Sequence, residues 1–257
     1  MSSSGKKFGE LLAAYRHDAR LTQRGLANDK LDLSYTFLAM LERGKRGRGE
    51  VALRRDQAWY LVRRLKLWPP KCDHFFEAAG LAADRTASEE QDIQRLSTFK
   101  ELWVFAKSIL DPDDAWYDIV RENILKKKVI YRYFTETSIV FKNLLNLLRR
   151  SGASEKVLRS HLECTLLPTE LFVANFAIYR RSAEEIYCCG AKRAYGKAIA
   201  FYTMHESEAL NRFEQLQEWR SAINIEHDIR LRHAQRIYPS ELRSAFTSLE
   251  SGSILRR

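Results

Sequence analysis

Apolar residues recur at helical spacing through roughly the first third of the chain and then give way, from about residue 99, to short β-branched and aromatic runs separated by amphipathic stretches. The segment 21–44, LTQRGLANDKLDLSYTFLAMLERG, predicts two short helices around a tight turn. Thr22 is placed to cap the first, with Leu26 and Ala27 facing inward. Ser34 is placed to cap the second, whose Leu38 and Leu41 share a face at i, i+3 before Gly44 stops it. A helix over 8–16 precedes them. In 51–67, Leu53, Trp59 or Tyr60, Leu61 and Leu65 form one side of a helix, with Arg54, Arg55, Arg63 and Arg64 outside. Pro69 and Pro70 are expected to stop that helix, and a last one runs from about Asp73 to Ala79 before Gly80. These five helices make an expected N-terminal domain of residues 1–81. Residues 82–98, AADRTASEEQDIQRLST, are polar and charged and read as a linker, partly helical from Ser88.

The second region alternates its texture. LWVFAKSIL reads as a strand, DDAWYDIVRENILKKK as a helix capped by Asp113 or Asp114, VIYRYF as a strand and SIVFKNLLNLLRR as a helix. Strand candidates LECTLLP, LFVANFAIYR, EEIYCCG and AIAFYTM follow, then the helix ESEALNRFEQLQEWRSA. Strand, helix, strand, helix predicts an α/β sandwich over 99–223, with at least one parallel crossover and antiparallel later strands. The charged tail 224–257 is expected to be helical to Tyr238 and loose at its end. The expected fold class is thus multidomain, an all-α unit followed by an α/β unit.

The residues Leu21-Thr22-Gln23, Leu26-Ala27, Ser34, and Leu38 through Leu41-Glu42-Arg43-Gly44 resemble the Cro/repressor-type helix-turn-helix of the xenobiotic-response-element (XRE) family. The resemblance spans 8–81, including the closing Phe75-Phe76-Glu77-Ala78-Ala79-Gly80-Leu81. Two departures concern the turn, which carries one extra residue and has Asp32 where the family usually has Gly; Asp tolerates the left-handed conformation better than most residues. The resemblance implies a five-helix, lambda-repressor-like DNA-binding domain. It implies that Gln23 donates to a phosphate, that Tyr35, Thr36 and Ala39 face the major groove with Arg24 and Ser34 beside them, and that Arg43, Lys45, Arg46 and Arg48 clamp the backbone. It also implies an ion pair between Arg16 and Glu42. An ordinary helical hairpin needs the same caps and apolar spacing.

Charge bears on the choice. Residues 1–81 hold 16 Lys+Arg against 9 Asp+Glu, a net of +7 out of +10 for the chain. Lys45, Arg46 and Arg48, spaced by Gly47 and Gly49, follow the second helix of the motif where phosphates would lie, although a charge run is also the ordinary mark of a solvated face. The four cysteines show no CxxC spacing, and the adjacent Cys188 and Cys189 point to opposite faces of a strand, so buried reduced thiols are expected and no metal. No apolar run approaches about 18 residues, and the start MSSSGKK lacks a secretory signal's apolar segment. A cytoplasmic chain without membrane contact or cofactor is expected.

In the second region GxGxxG, GxxxxGK[ST], HExxH and GxSxG are absent. The order WVFAKSI, ENILKKKVIYRYF and a late strand ending at His205 is loosely similar to a phospholipase D-like fold. The catalytic HxKxxxxD of that fold has no counterpart, because Glu206 and Ser207 follow His205, and no enzyme is expected. Lys126, Lys127, Lys128 and Arg132, with Lys192, Arg193 and Lys197, are either a grip for a phosphate-bearing ligand or solvated charges. The expected function is a sequence-specific transcriptional regulator, a dimeric repressor reading a palindromic double-stranded operator through residues 34–43. Its C-terminal domain would dimerise or sense a small-molecule or nucleotide effector. The alternatives are a DNA-targeted nucleic-acid-processing or nucleotide-cleaving enzyme, and a DNA-binding accessory of a mobile element.

Overall fold

The computed structural model describes residues 3–44, 53–67, 69–96, 99–107, 115–136, 139–194, 197–222 and 235–237. The protein is a mixed α/β chain that divides into two compact units, Met1–Leu96 and Ser97–Arg257.

The first unit is helical: α1 (Ser3–Asp18), α2 (Gln23–Leu26), a 3-10 turn (Asp29–Leu31), α3 (Tyr35–Glu42), α4 (Arg55–Leu65), α5 (Pro69–Ala78) and α6 (Ala87–Leu96). Leu12 of α1, Leu26 of α2, Leu38 of α3, Leu61 of α4 and Phe75 and Phe76 of α5 are all fully buried in one core. Helices α1 and α3 cross at Gly9, where an added Cβ would lie 2.4 Å from the Leu41 carbonyl oxygen and 2.7 Å from that of Glu42. Glycine mid-helix costs about 1 kcal/mol relative to alanine, and here the close approach requires it.

Two expectations fail in this unit. The prolines do not by themselves end α4: Lys66 does, as a left-handed cap at φ 52°, and Pro69 opens α5, where a missing N–H costs nothing. Residues 82–96 are not a loose linker. Arg85, 1% exposed, pairs with Asp73 of α5 and with Glu90 of α6 at 2.8 Å. Arg55 of α4 holds Glu89 at 2.7 and 2.9 Å while lying over the Phe76 ring, and the Trp59 indole donates to Asp92 at 3.1 Å. The charges that made the segment look solvated are half of a buried ion network whose other half lies in α4 and α5.

The second unit contains a seven-stranded sheet in the order β6-β5-β4-β1-β2-β3-β7. Its strands are β1 (Glu101–Phe105), β2 (Ile130–Thr135), β3 (Leu162–Leu166), β4 (Phe176–Arg180), β5 (Ile186–Ala194), β6 (Lys197–Thr203) and β7 (Gln235–Ile237). β1, β2 and β3 are parallel, with helix α7 (Ala115–Leu125) in the first crossover and α8 (Ile139–Arg150) and α9 (Glu155–His161) in the second. The later strands pair antiparallel, as the pattern predicts. One face presents Tyr131 and Tyr133: Asn123 of α7 donates to the Tyr131 hydroxyl at 2.8 Å, and Phe141 of α8 meets the Tyr133 ring at 6.3 Å. The opposite face presents Trp103, Phe134 and Ile178 to Phe213 and Leu216 of α10 (Glu206–Ala222).

Three readings are corrected here. In LFVANFAIYR, Leu171 ends a 3-10 turn (Thr169–Leu171) and residues 172–175 are loop, so β4 begins only at Phe176. The sequence pattern assigns no element to residues 151–161, which hold the short helix α9, capped by Ser154 and ending just before β3. Part of the expected helical tail, Gln235–Ile237, is the edge strand β7. The caps proposed at Asp113 or Asp114 lie outside the described residues. All four cysteines are free and buried. No helix among the described residues is long and apolar enough to cross a membrane.

Candidate nucleic-acid interface

The geometry of α2 and α3 is set by local hydrogen bonds. The Thr22 hydroxyl accepts from the Gly25 N–H at 3.0 Å and the Ser34 hydroxyl from the Phe37 N–H at 3.1 Å, so each helix starts where its cap residue stands. Between them Asn28 and Leu33 bond across the turn, and Asp32 adopts φ 56°, ψ 25°, the left-handed conformation usually left to glycine. The turn is tied down by α4. Gln57, 3% exposed, donates to the Leu31 carbonyl at 2.7 Å, and Arg54 reaches the same oxygen at 3.3 Å and the Asp32 carboxylate at 3.2 Å. Arg64 donates to the Gly25 carbonyl at 2.9 Å. Arg54 and Arg64, read from the sequence as outward charges, therefore position the turn.

At the far end of α3 the Arg16 guanidinium grips the Glu42 carboxylate through two bonds, at 2.6 and 3.0 Å, and also donates to the Leu21 carbonyl at 3.0 Å. The expected ion pair is present and mostly buried, its side chains 11% and 9% exposed. Burial alone would raise the Glu42 carboxyl pKa, but the bonds from Arg16 and Gln23 and the Arg16 charge outweigh it and hold it below the ordinary carboxylate value.

The remaining site residues divide. Tyr35, 47% exposed, and Thr36 stand open on the first turn of α3, with Arg24 of α2 lying over the Tyr35 ring at 5.6 Å and Arg43 exposed at the helix end. Ser34 is exposed and already serves as the cap. The Gln23 amide donates one of its two N–H groups to Glu42 at 2.7 Å and so braces the ion pair as well. Ala39 is corrected. It is 5% exposed, because it follows Leu38 on the edge of the packed face. Lys45, Arg46 and Arg48 lie outside the described residues. Gly9 was missed; its signal was a glycine inside an otherwise apolar-periodic helix.

In the second unit the proposed basic grip does not converge. Lys126, Lys127 and Lys128 precede β2, at the end of the sheet where Glu101 begins β1, whereas Lys192 lies beyond the opposite end, since Phe105 pairs with Phe176 and Phe176 with Gly190. Arg132 is occupied by Glu163 and, at 3.7 Å, by Glu101. His205 bonds Ser207 at 2.9 Å and its carbonyl accepts from the Ala209 N–H at 2.9 Å, the contacts of a residue opening α10. No protein-family model, curated protein or solved structure matches the chain.

Proposed function

We propose that the chain is a sequence-specific DNA-binding transcriptional regulator, with an XRE-type, lambda-repressor-like head in its first unit. It acts as a homodimeric repressor on a palindromic operator. One observation carries the reading: the first turn of α3 leaves Tyr35 and Thr36 exposed, flanked by the exposed cations Arg24 and Arg43, in a region of net charge +7. A major groove about 12 Å wide admits one helix, and in such heads the first turn of that helix meets base edges. Tyr35 and Thr36 read the bases, while Arg24 and Arg43 neutralise phosphates on either side. One helix spans only about four or five base pairs, so a second copy supplies the other half-site about one helical turn away. Dimerisation belongs to the second unit.

Selection of randomised duplexes by the full chain tests the proposal. The expected product is a two-fold motif whose half-sites are about 34 Å apart. Recovery of no motif, or of an unchanged motif by Tyr35→Ala and Thr36→Ala, would refute it.

A further inference from the structure

A cavity of about 190 Å3 opens at the carboxyl end of β1, lined by Phe105, Phe176 and Trp219 together with Glu170, Arg212 and Gln215. Its position follows from the topology. From β1 the chain runs through β2 and β3 on one side, then returns to place β4 on the other, so the strand order reverses between β1 and β4. Phe105 ends β1, Phe176 begins β4, and the two are register partners.

The walls are built in advance. Phe105 stacks on Phe172 at 4.6 Å and on Phe176 at 4.8 Å between ring centroids, and meets Trp219 of α10 at 5.7 Å. The loop 169–175 is fastened at both ends: Thr169 donates to Glu136 at 2.8 Å, and the Asn175 side chain accepts from the Lys107 N–H at 3.1 Å. A ligand entering the site therefore orders little.

We propose that this cavity binds a small, single-ring aromatic carboxylate. Its volume exceeds only modestly that of an apolar cavity, about 150 Å3, known to take up benzene, so it accommodates one ring and a small substituent. Phe105 and Phe176, 2% and 4% exposed, form the packed floor, and the partly exposed Trp219 offers a flat ring offset or edge contacts. Arg212 brings the charge. Its guanidinium lies over the Phe176 ring at 5.4 Å and meets Glu208 at 3.6 Å, an i, i+4 pair 31% and 50% exposed that gives way readily to a better-placed carboxylate. The lining residues include one cation, Arg212, and one carboxylate, Glu170, so the site can match a single negative charge and no more, which separates this ligand from a nucleotide. The site stands independently of the DNA-binding proposal.

Titration of the full chain with benzoate, in the absence of DNA, tests it by ligand-observed NMR and calorimetry. Binding with a dissociation constant on the order of a millimolar or tighter is expected. Arg212→Gln, a change at a partly exposed side chain, should weaken it about tenfold or more, and Trp219→Leu should weaken it independently. Toluene and benzylamine, which lack the carboxylate, should bind less well. Absence of benzoate binding at about 10 mM, well above the expected constant, would overturn the proposal. So would equal affinity in Arg212→Gln, or preference for toluene, benzylamine or phenylalanine, the last marking a zwitterion site.

Discussion

Replacing Arg16 with methionine removes the clasp between α1 and the end of α3 while keeping most of the side-chain volume. The lost contacts are the two bonds to Glu42 at 2.6 and 3.0 Å, the bond to the Leu21 carbonyl at 3.0 Å and an exposed one to the His17 ring at 3.2 Å. Glu42, its side chain 9% exposed, is left with only the Gln23 amide at 2.7 Å. Removing one partner of such a pair costs about 3 to 5 kcal/mol, because the survivor stays buried and charged. Domains are typically stable by about 5 to 15 kcal/mol, so the variant head is marginal or unfolded at ordinary temperature. Peptide-resolved hydrogen exchange on the full chain reads this directly: protection in α1 and α3 should fall by roughly two to four powers of ten, with α10 unchanged as reference. The double variant Arg16→Met, Glu42→Leu should recover most of the loss, since exchanging a whole buried pair for apolar residues is often neutral. Unchanged protection in the single variant, or an equal fall in the double one, would refute the assignment of that energy to an uncompensated carboxylate.

Because the Glu42 pKa is held below its ordinary value, its contribution is complete above about pH 5 and is lost as pH falls through the folded value; urea midpoints between pH 6 and 3 should show a slope that the Arg16→Met, Glu42→Leu variant lacks. Gly9→Ala drives a methyl into two backbone carbonyls and should destabilise the first unit by about 1 to 3 kcal/mol in the same exchange experiment, whereas an unaffected variant would mean that α1 and α3 separate without cost. Arg43→Ala should weaken binding to all duplexes alike and flatten the slope of log affinity against log salt by about 0.9, while Thr36→Ala should alter base preference; exchanged outcomes would place the reading turn elsewhere. Burial raises the Cys72 and Cys164 thiols and pushes Cys188 up to about 12, so thiol reagents at pH 8 should leave these three untouched until the chain is denatured.

Much of this was legible along the chain because it rests on neighbours in sequence. Thr22 and Ser34 cap helices a few residues away, Leu38 and Leu41 repeat at helical spacing, and the textures of ELWVF and IYRYFT announce strands joined by an amphipathic helix. The outward placement of Tyr35 and Thr36 was given by the family resemblance, which placed Ala39 outward with them. Arg16 and Glu42 are 26 residues apart and were paired only through the family resemblance; nothing in their spacing joins them.

What the sequence determined by itself, then, was the element types, the caps, the two textures and the uneven charge, all fixed by interactions within a few residues. Tertiary structure decided the fate of its polar side chains. Gln23 became a brace for Glu42, Ala39 sank to the edge of the packed face, and Arg55, Arg85, Glu89 and Glu90 became a largely buried network in place of a solvated linker. It also brought Phe105, Phe176 and Trp219, drawn from β1, β4 and α10, to one cavity. The physical reason is the same throughout. A charge or an amide carries no mark of whether it will face water, and only a partner arriving from a distant element makes its burial favourable.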